Sequence, residues 1–174
     1  MTDGLIIAAD AGRKLATRAQ EIVFKVTGAD ADFASTFEVT VPPGFDVGAH
    51  FHTRTEELFY ILAGNPDMFA FEPVRRTADD WRDWVSATGK RPVRAAPGTT
   101  VFVPRHCPHG FANRTDRPVR MLFQAAPPPD HERYFEELTK IFALAGTVDS
   151  GAVAELRTKY DVHQITPLRF GSSA

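Results

Sequence analysis

The sequence predicts an all-β sandwich or barrel followed by a helical tail. Short β-branched and aromatic runs recur along the first 125 residues, and Gly/Pro-rich turn signals separate them. Sustained helical spacing follows the prolines that begin at Pro127. Gln20–Thr27 (QEIVFKVT) and Ala34–Val41 (ASTFEVTV) read as the first two strands, with residues 28–32 (GADAD) as the turn between them and Pro42-Pro43-Gly44 stopping the second. Glu56–Ala63 and Asp67–Glu72 follow, then Arg91–Ala96, Thr99–Val103, His109–Asn113 and Val119–Gln124. Pro97-Gly98, Pro104 and residues 116–118 (DRP) mark turns between them.

Two stretches break that rhythm. Thr77–Gly89 opens on a Thr-x-x-Asp signal and ends on glycine, which predicts a short helix with Trp81, Trp84, Val85 and Thr88 on one face. As a helical insertion over residues 72–90, it is expected to cover the barrel mouth or join a dimer contact, because two exposed indoles are costly in water. In the tail, Asp130 is expected to cap a helix that buries Tyr134, Phe135, Leu138, Ile141 and Phe142. A second helix from about Ser150 to Tyr160 buries Val153 and Leu156.

At 174 residues the chain fits one domain, 1–174, with a sizeable core. A formal net charge of −2 with no lysine or arginine cluster gives no reason to expect nucleic acid or an anionic membrane as partner. The 14 phenylalanines outnumber tryptophan and tyrosine together, which predicts an aromatic-rich interior. Cys107 is the only cysteine, so an intramolecular disulfide is impossible and a reducing compartment is permitted. The apolar run Leu5–Ala9 is too short for a signal-peptide core or a membrane span, and a cytoplasmic location is expected.

The chemistry concentrates in two segments. His50 and His52, one residue apart on a strand, face the same side because side chains alternate with period two. Glu57 opens the next strand beyond a turn, and His109 opens another after the turn at Pro104. Two imidazoles at i and i+2, a distant carboxylate and a distant third imidazole suit a first-row transition metal. Read without a metal, His50 and His52 are simply hydrogen-bonded barrel histidines. Phe59 and Phe111 are expected to face inward as pocket walls, whereas Phe51 and Glu56 face away. His106 and Cys107 fall in a turn, and His131 and His163 lie in the tail without an identifiable partner.

Gly44, five residues, His50-x-His52, four residues, Glu57, six residues and Gly64 resemble the first signature motif of the cupin family. Gly98, five residues, Pro104, then His109, three residues and Asn113 are similar to its second motif, with His106 where the family usually has glycine. Histidine tolerates left-handed backbone better than most residues, so the turn can form. The resemblance implies a double-stranded β-helix, or jelly-roll, barrel over residues 20–125 with C-terminal helices over 130–162. It implies one divalent first-row ion (iron, manganese, nickel, cobalt or zinc) on His50, His52, Glu57 and His109. The tail is more loosely similar to that of small bacterial single-cupin proteins compared with quercetin 2,3-dioxygenases. On that likeness the expected activity is a metal-dependent dioxygenase acting on a small flavonol-like, enolic or aromatic substrate, with Glu57 as both ligand and base. A metal-dependent isomerase, cyclase or lyase of secondary metabolism is the enzymatic alternative, and a non-enzymatic ligand-binding cupin is the other. The expected partners are a small-molecule substrate and a second copy of the chain in a homodimer.

Overall fold

The computed structural model describes residues 3–9, 11–17, 19–128, 130–143 and 149–171. Residues 144–148, within the range expected for the two tail helices, lie outside the described residues. The strands are β1 (Arg13–Ala16), β2 (Glu21–Val26), β3 (Ser35–Val41), β4 (His50–Phe51), β5 (Glu56–Ala63), β6 (Asp67–Ala70), β7 (Val93–Arg94), β8 (Thr100–Val103), β9 (His109–Ala112) and β10 (Val119–Ala126). Helices α1 (His131–Ala143) and α2 (Ser150–Lys159) follow, and a short β11 (His163–Gln164) comes last. The strands form two antiparallel sheets, ordered β1-β2-β3-β10-β5-β8 and β11-β4-β9-β6-β7. This is a jelly roll with a helical tail.

Strict alternation explains the larger sheet. Along β3, Ser35, Phe37, Val39 and Val41 are buried while their neighbours are less so, and β10 alternates the same way through Val119, Met121, Phe123 and Ala125. Registration then lines up Phe24 with Phe37, Phe37 with Phe123, and Phe123 with Phe59. The rings meet at 5.3, 5.6 and 5.1 Å, so one aromatic row crosses four neighbouring strands. Each such contact contributes roughly 0.5–1.5 kcal/mol beyond burial. One rung further along the inner face stand Ser35, Ala125 and Glu57. The small side chains there leave room above the sheet, and α1 fills it: His131 stands edge-on to Phe123 at 5.3 Å and Phe135 edge-on to Phe37 at 5.3 Å.

The expected helix at Thr77–Gly89 is absent; residues 72–90 form turns and a β-bridge between Pro73 and Ser86. The segment's polar groups are satisfied locally instead. Thr77 uses its hydroxyl to donate to the Asp80 carbonyl and to accept the Trp84 indole N–H, so the residue expected to cap a helix closes a turn. Trp81 donates its indole N–H to Asp46 at 3.0 Å. The two indoles are not solvated. Trp81 and Trp84 are 0% and 3% exposed, packed with Phe69, Phe71, Ala49 and Ala112 on the outer face of the smaller sheet. The indoles are therefore removed from water within the chain itself. Asp130 opens α1 through its backbone carbonyl, which accepts the Tyr134 N–H, while its carboxylate turns to Arg133. No helix among the described residues is long and apolar enough to cross a membrane.

Candidate metal centre

Pairing between β4 and β9 sets His50 directly opposite His109. Glu57 enters from the other sheet, between Ala125 and Val103. His52 follows β4 by one residue. All four side chains are buried, and one donor atom from each lies within 4.8 Å of every other. Donors about 2.1 Å from one ion stand at most about 4.2 Å apart, so an ion requires a contraction of only a few tenths of an ångström.

The imidazoles are oriented by backbone carbonyls. Nδ1–H of His50 donates to Gly48 at 2.9 Å, that of His52 to Asp161 at 2.9 Å, and that of His109 to Cys107 at 3.1 Å. A carbonyl can only accept, so each Nδ1 carries the proton and each Nε2 presents a lone pair to the interior. Gly48 reaches this position through a positive φ of 72°, and a Cβ there would fall 2.4 Å from the Thr166 carbonyl oxygen. His106 adopts φ 64°, the left-handed turn expected of it, and donates its backbone N–H to the His52 carbonyl.

Glu57 faces these lone pairs. Its carboxylate oxygens lie 3.0 Å from His52 Nε2 and 2.8 Å from His109 Nε2. These are ion-pair distances without hydrogen-bond geometry. His52 Nε2, His109 Nε2 and Glu57 Oε2 have no hydrogen-bond partner among the described residues. Buried lone pairs facing one another are unfavourable until a proton or a cation lies between them. Burial opposes a charge on His52, yet Glu57 outweighs it and raises the imidazole pKa. Burial also opposes ionisation of Glu57, but His52 and His109 hold it well below the usual carboxylate range. Burial pushes His50 well below an ordinary histidine. A proton and a divalent cation thus satisfy the same carboxylate, and one displaces the other. The donor set fits a metal.

The four donors meet a cavity of about 60 Å³. Phe59 and Phe111 line it, as expected from strand alternation, and Phe51 instead stacks on His163 at 4.8 Å. Asn113 holds a loop rather than the site, donating its amide to the carbonyls of Val41 and Arg117. The remaining groups come from the tail, and the sequence signalled little of this. His131, buried, places Nε2 4.0 Å from Glu57 Oε1, and burial lowers its pKa to about 4. Tyr134 and Arg157 line the same cavity. Asp161, 4% exposed, accepts the backbone N–H groups of Thr53 and Arg54 and the Thr53 hydroxyl. Burial works against its charge, but those donors together with His163 hold its pKa down to about 2. Its carbonyl orients His52. A lone histidine or aspartate in a helical tail carries no motif, so only the folded chain reveals these roles.

Two sheets enclosing one inward cluster of three histidines and a glutamate define a jelly-roll barrel with a site compatible with a divalent metal. The chain belongs to the cupin family, whose model ("Cupin") matches residues 33–150. No curated protein matches it. Among solved structures it is similar to KdgF from Halomonas sp., with a TM-score of 0.57 and 14% identity over 75% of this chain and 99% of that one. It is also similar to a predicted oxalate decarboxylase from Thermotoga maritima, with a TM-score of 0.54 and 16% identity over 71% and 99% of the two chains. A cupin-superfamily sugar phosphate isomerase from Silicibacter pomeroyi gives a TM-score of 0.52 and 16% identity over 72% and 77%. At such identities the likeness is one of fold.

Proposed function

We propose that this cupin is a metal-dependent enzyme acting on a small enolic or aromatic substrate, and within that class a dioxygenase. The observation that carries the reading is the set of inward Nε2 and carboxylate atoms left without hydrogen bonds beside an aromatic cavity. His50, His52, Glu57 and His109 would hold one ion, with iron, manganese, nickel, cobalt and zinc as the candidates. Such an ion supplies a Lewis acid that stabilises a deprotonated substrate oxygen. The carbonyls of Gly48, Asp161 and Cys107 hold the three imidazoles in the ligating tautomer. Phe59, Phe111 and Phe123 exclude bulk water. Glu57 carries the negative charge of the donor set and is placed to accept the substrate's proton at a carboxylate oxygen.

Size narrows the substrate. Sixty cubic ångströms is the room of about two water molecules at roughly 30 Å³ each. A small enol fits, whereas a three-ring flavonol requires the walls to move. A second reading, isomerase or lyase, is favoured by His131. Its neutral Nε2, 4.0 Å from Glu57, gives the cavity a second proton-handling atom that needs no oxygen.

Protein reconstituted separately with iron, manganese, nickel and cobalt should be incubated with an enol panel while dissolved oxygen and product mass are followed. Oxygen uptake matching product supports the dioxygenase. Conversion with oxygen excluded replaces it with the isomerase or lyase. Failure to retain any metal leaves a ligand-binding cupin. The homodimer belongs to the same proposal, supported by Tyr60, Leu62 and Phe102, which are apolar and exposed beside the edge strand β8. Sedimentation of a single species at monomer mass, at concentrations up to tens of micromolar, excludes it.

A further inference from the structure

The buried cation of the tail has no assigned task. Arg157 is 2% exposed, lines the cavity, and is carried on α2, whose first turn is fixed by Asp149 accepting the N–H groups of Gly151 and Ala152. Among the described residues its guanidinium makes one long hydrogen bond, Nη1 to the Val47 carbonyl at 3.4 Å, and forms no ion pair. Its Nε has no partner. A buried charge of this kind costs several kcal/mol unless something compensates it. The charged or ionisable groups that act on it most are Tyr134 and Glu57, and Glu57 is directed at His52 and His109 and forms no ion pair with it.

We infer that Arg157 is a substrate-binding residue, and that the cavity takes a small molecule carrying a carboxylate. This rests on the metal-dependent reading and specifies its substrate class. Three neutral imidazoles, the Glu57 carboxylate and the Arg157 guanidinium sum to zero charge; a divalent ion then leaves two positive charges in a dry space. An entering carboxylate offsets one of them, and a deprotonated enolic oxygen on the same molecule offsets the other. The planar guanidinium fork matches a carboxylate bidentately, and a carboxylate joined to a few further atoms suits a space of about 60 Å³. Arg157 would anchor one end of the substrate while its enolic or oxo oxygen faces the four donors. The tail thereby sets specificity on a barrel that supplies the chemistry.

The test compares wild type with Arg157→Gln and Arg157→Met. Metal content is read by elemental analysis, thermal stability without ligand by calorimetry, and affinity by titration with acetate, pyruvate and malonate beside their neutral amides. Metal-loaded wild type should bind at least one of the acids tenfold or more tighter than its amide. Both variants should retain metal, lose that preference, and melt at the wild-type temperature or above, because an uncompensated buried charge has been removed. A preference that survives in Arg157→Gln overturns the inference, as does failure of wild type to bind any of the acids. Tighter binding of inorganic phosphate than of every acid overturns the carboxylate assignment. Collapse of both variants shows that Arg157 is structural and overturns it too. Failure of the metal reading is visible separately, as wild type without metal. The acid-over-amide preference measured on that metal-free protein then still decides the role of Arg157.

Discussion

In the barrel, Glu57 and Phe59 face the cavity because they alternate on a strand whose neighbours fix its register. In the tail, His131 and Arg157 reach the same cavity only because α1 and α2 pack against the sheets, and Asp161 reaches His52 because β11 returns to pair with β4. The first arrangement is local and periodic; the second depends on contacts more than a hundred residues apart in sequence. The difference separates two tasks. The barrel supplies the inward histidines and glutamate, and the tail supplies what orients one of them and part of the cavity wall.

The largest expected effect lies on the barrel side. His52→Ala should lower metal content at least tenfold with the far-ultraviolet circular dichroism unchanged, since strand pairing does not use the imidazole; full occupancy by elemental analysis rejects His52 as a ligand. Trp81→Ala should do the reverse. Deleting a fully buried indole costs about 3–5 kcal/mol, seen as a lower denaturation midpoint, while metal per folded molecule stays constant. Next comes Asp161→Asn, which keeps the shape but removes the charge that holds Thr53 and Arg54. The backbone carbonyl that accepts from His52 survives the substitution, so only the loosened Thr53–Arg54 turn is felt. The expected loss of metal affinity in a chelator competition is about tenfold at most, the low end for outer partners of a ligand. An unchanged affinity would confine Asp161 to the fold.

The smallest effect should come from the bridge between the two helices. Glu137 accepts from Lys159 at 2.8 Å and from the Tyr160 hydroxyl at 2.9 Å. Those bonds hold its pKa below the ordinary carboxylate value. Its contribution is therefore present above the unfolded pKa of about 4.3 and drains away as pH falls through the lower folded value. Being exposed, the pair is screened by salt. Lys159→Ala should give a slight loss of melting temperature near neutral pH that vanishes in high salt; a large, salt-independent loss would mean that the tail depends on this bridge.

The same division governs what the sequence made legible. Strands β3, β5 and β10 were readable because inward residues alternate, β2 from its β-branched and aromatic run, and His50, His52, Glu57 and His109 because their spacing matches two motifs. β1 and β11 were missed. Arg13–Ala16 holds one partly buried residue among exposed ones, and His163–Gln164 becomes a strand only by pairing with β4. The segment from Thr77 to Gly89 misled because Trp81 and Trp84, three apart, imitate a helical face. Their indole N–H groups are instead claimed by Asp46 and Thr77, and no local pattern announces such a partner. Arg157 was unreadable for a related reason: an arginine in an amphipathic helix looks solvated until the fold buries it.

The hydrogen bond from His52 to the Asp161 carbonyl also bears on the order in which a growing chain becomes competent. His109, the last of the four donors, leaves the ribosome roughly fifty residues before Asp161, a delay of about 3–10 s at ordinary elongation rates. Through that interval the donors exist without the carbonyl that sets the His52 tautomer, and without Arg157 beside them. On the proposed metal-dependent reading, a nascent barrel is thus a poor competitor for cellular metal until Asp161 is made, and the choice of ion falls to the chain that already carries its tail.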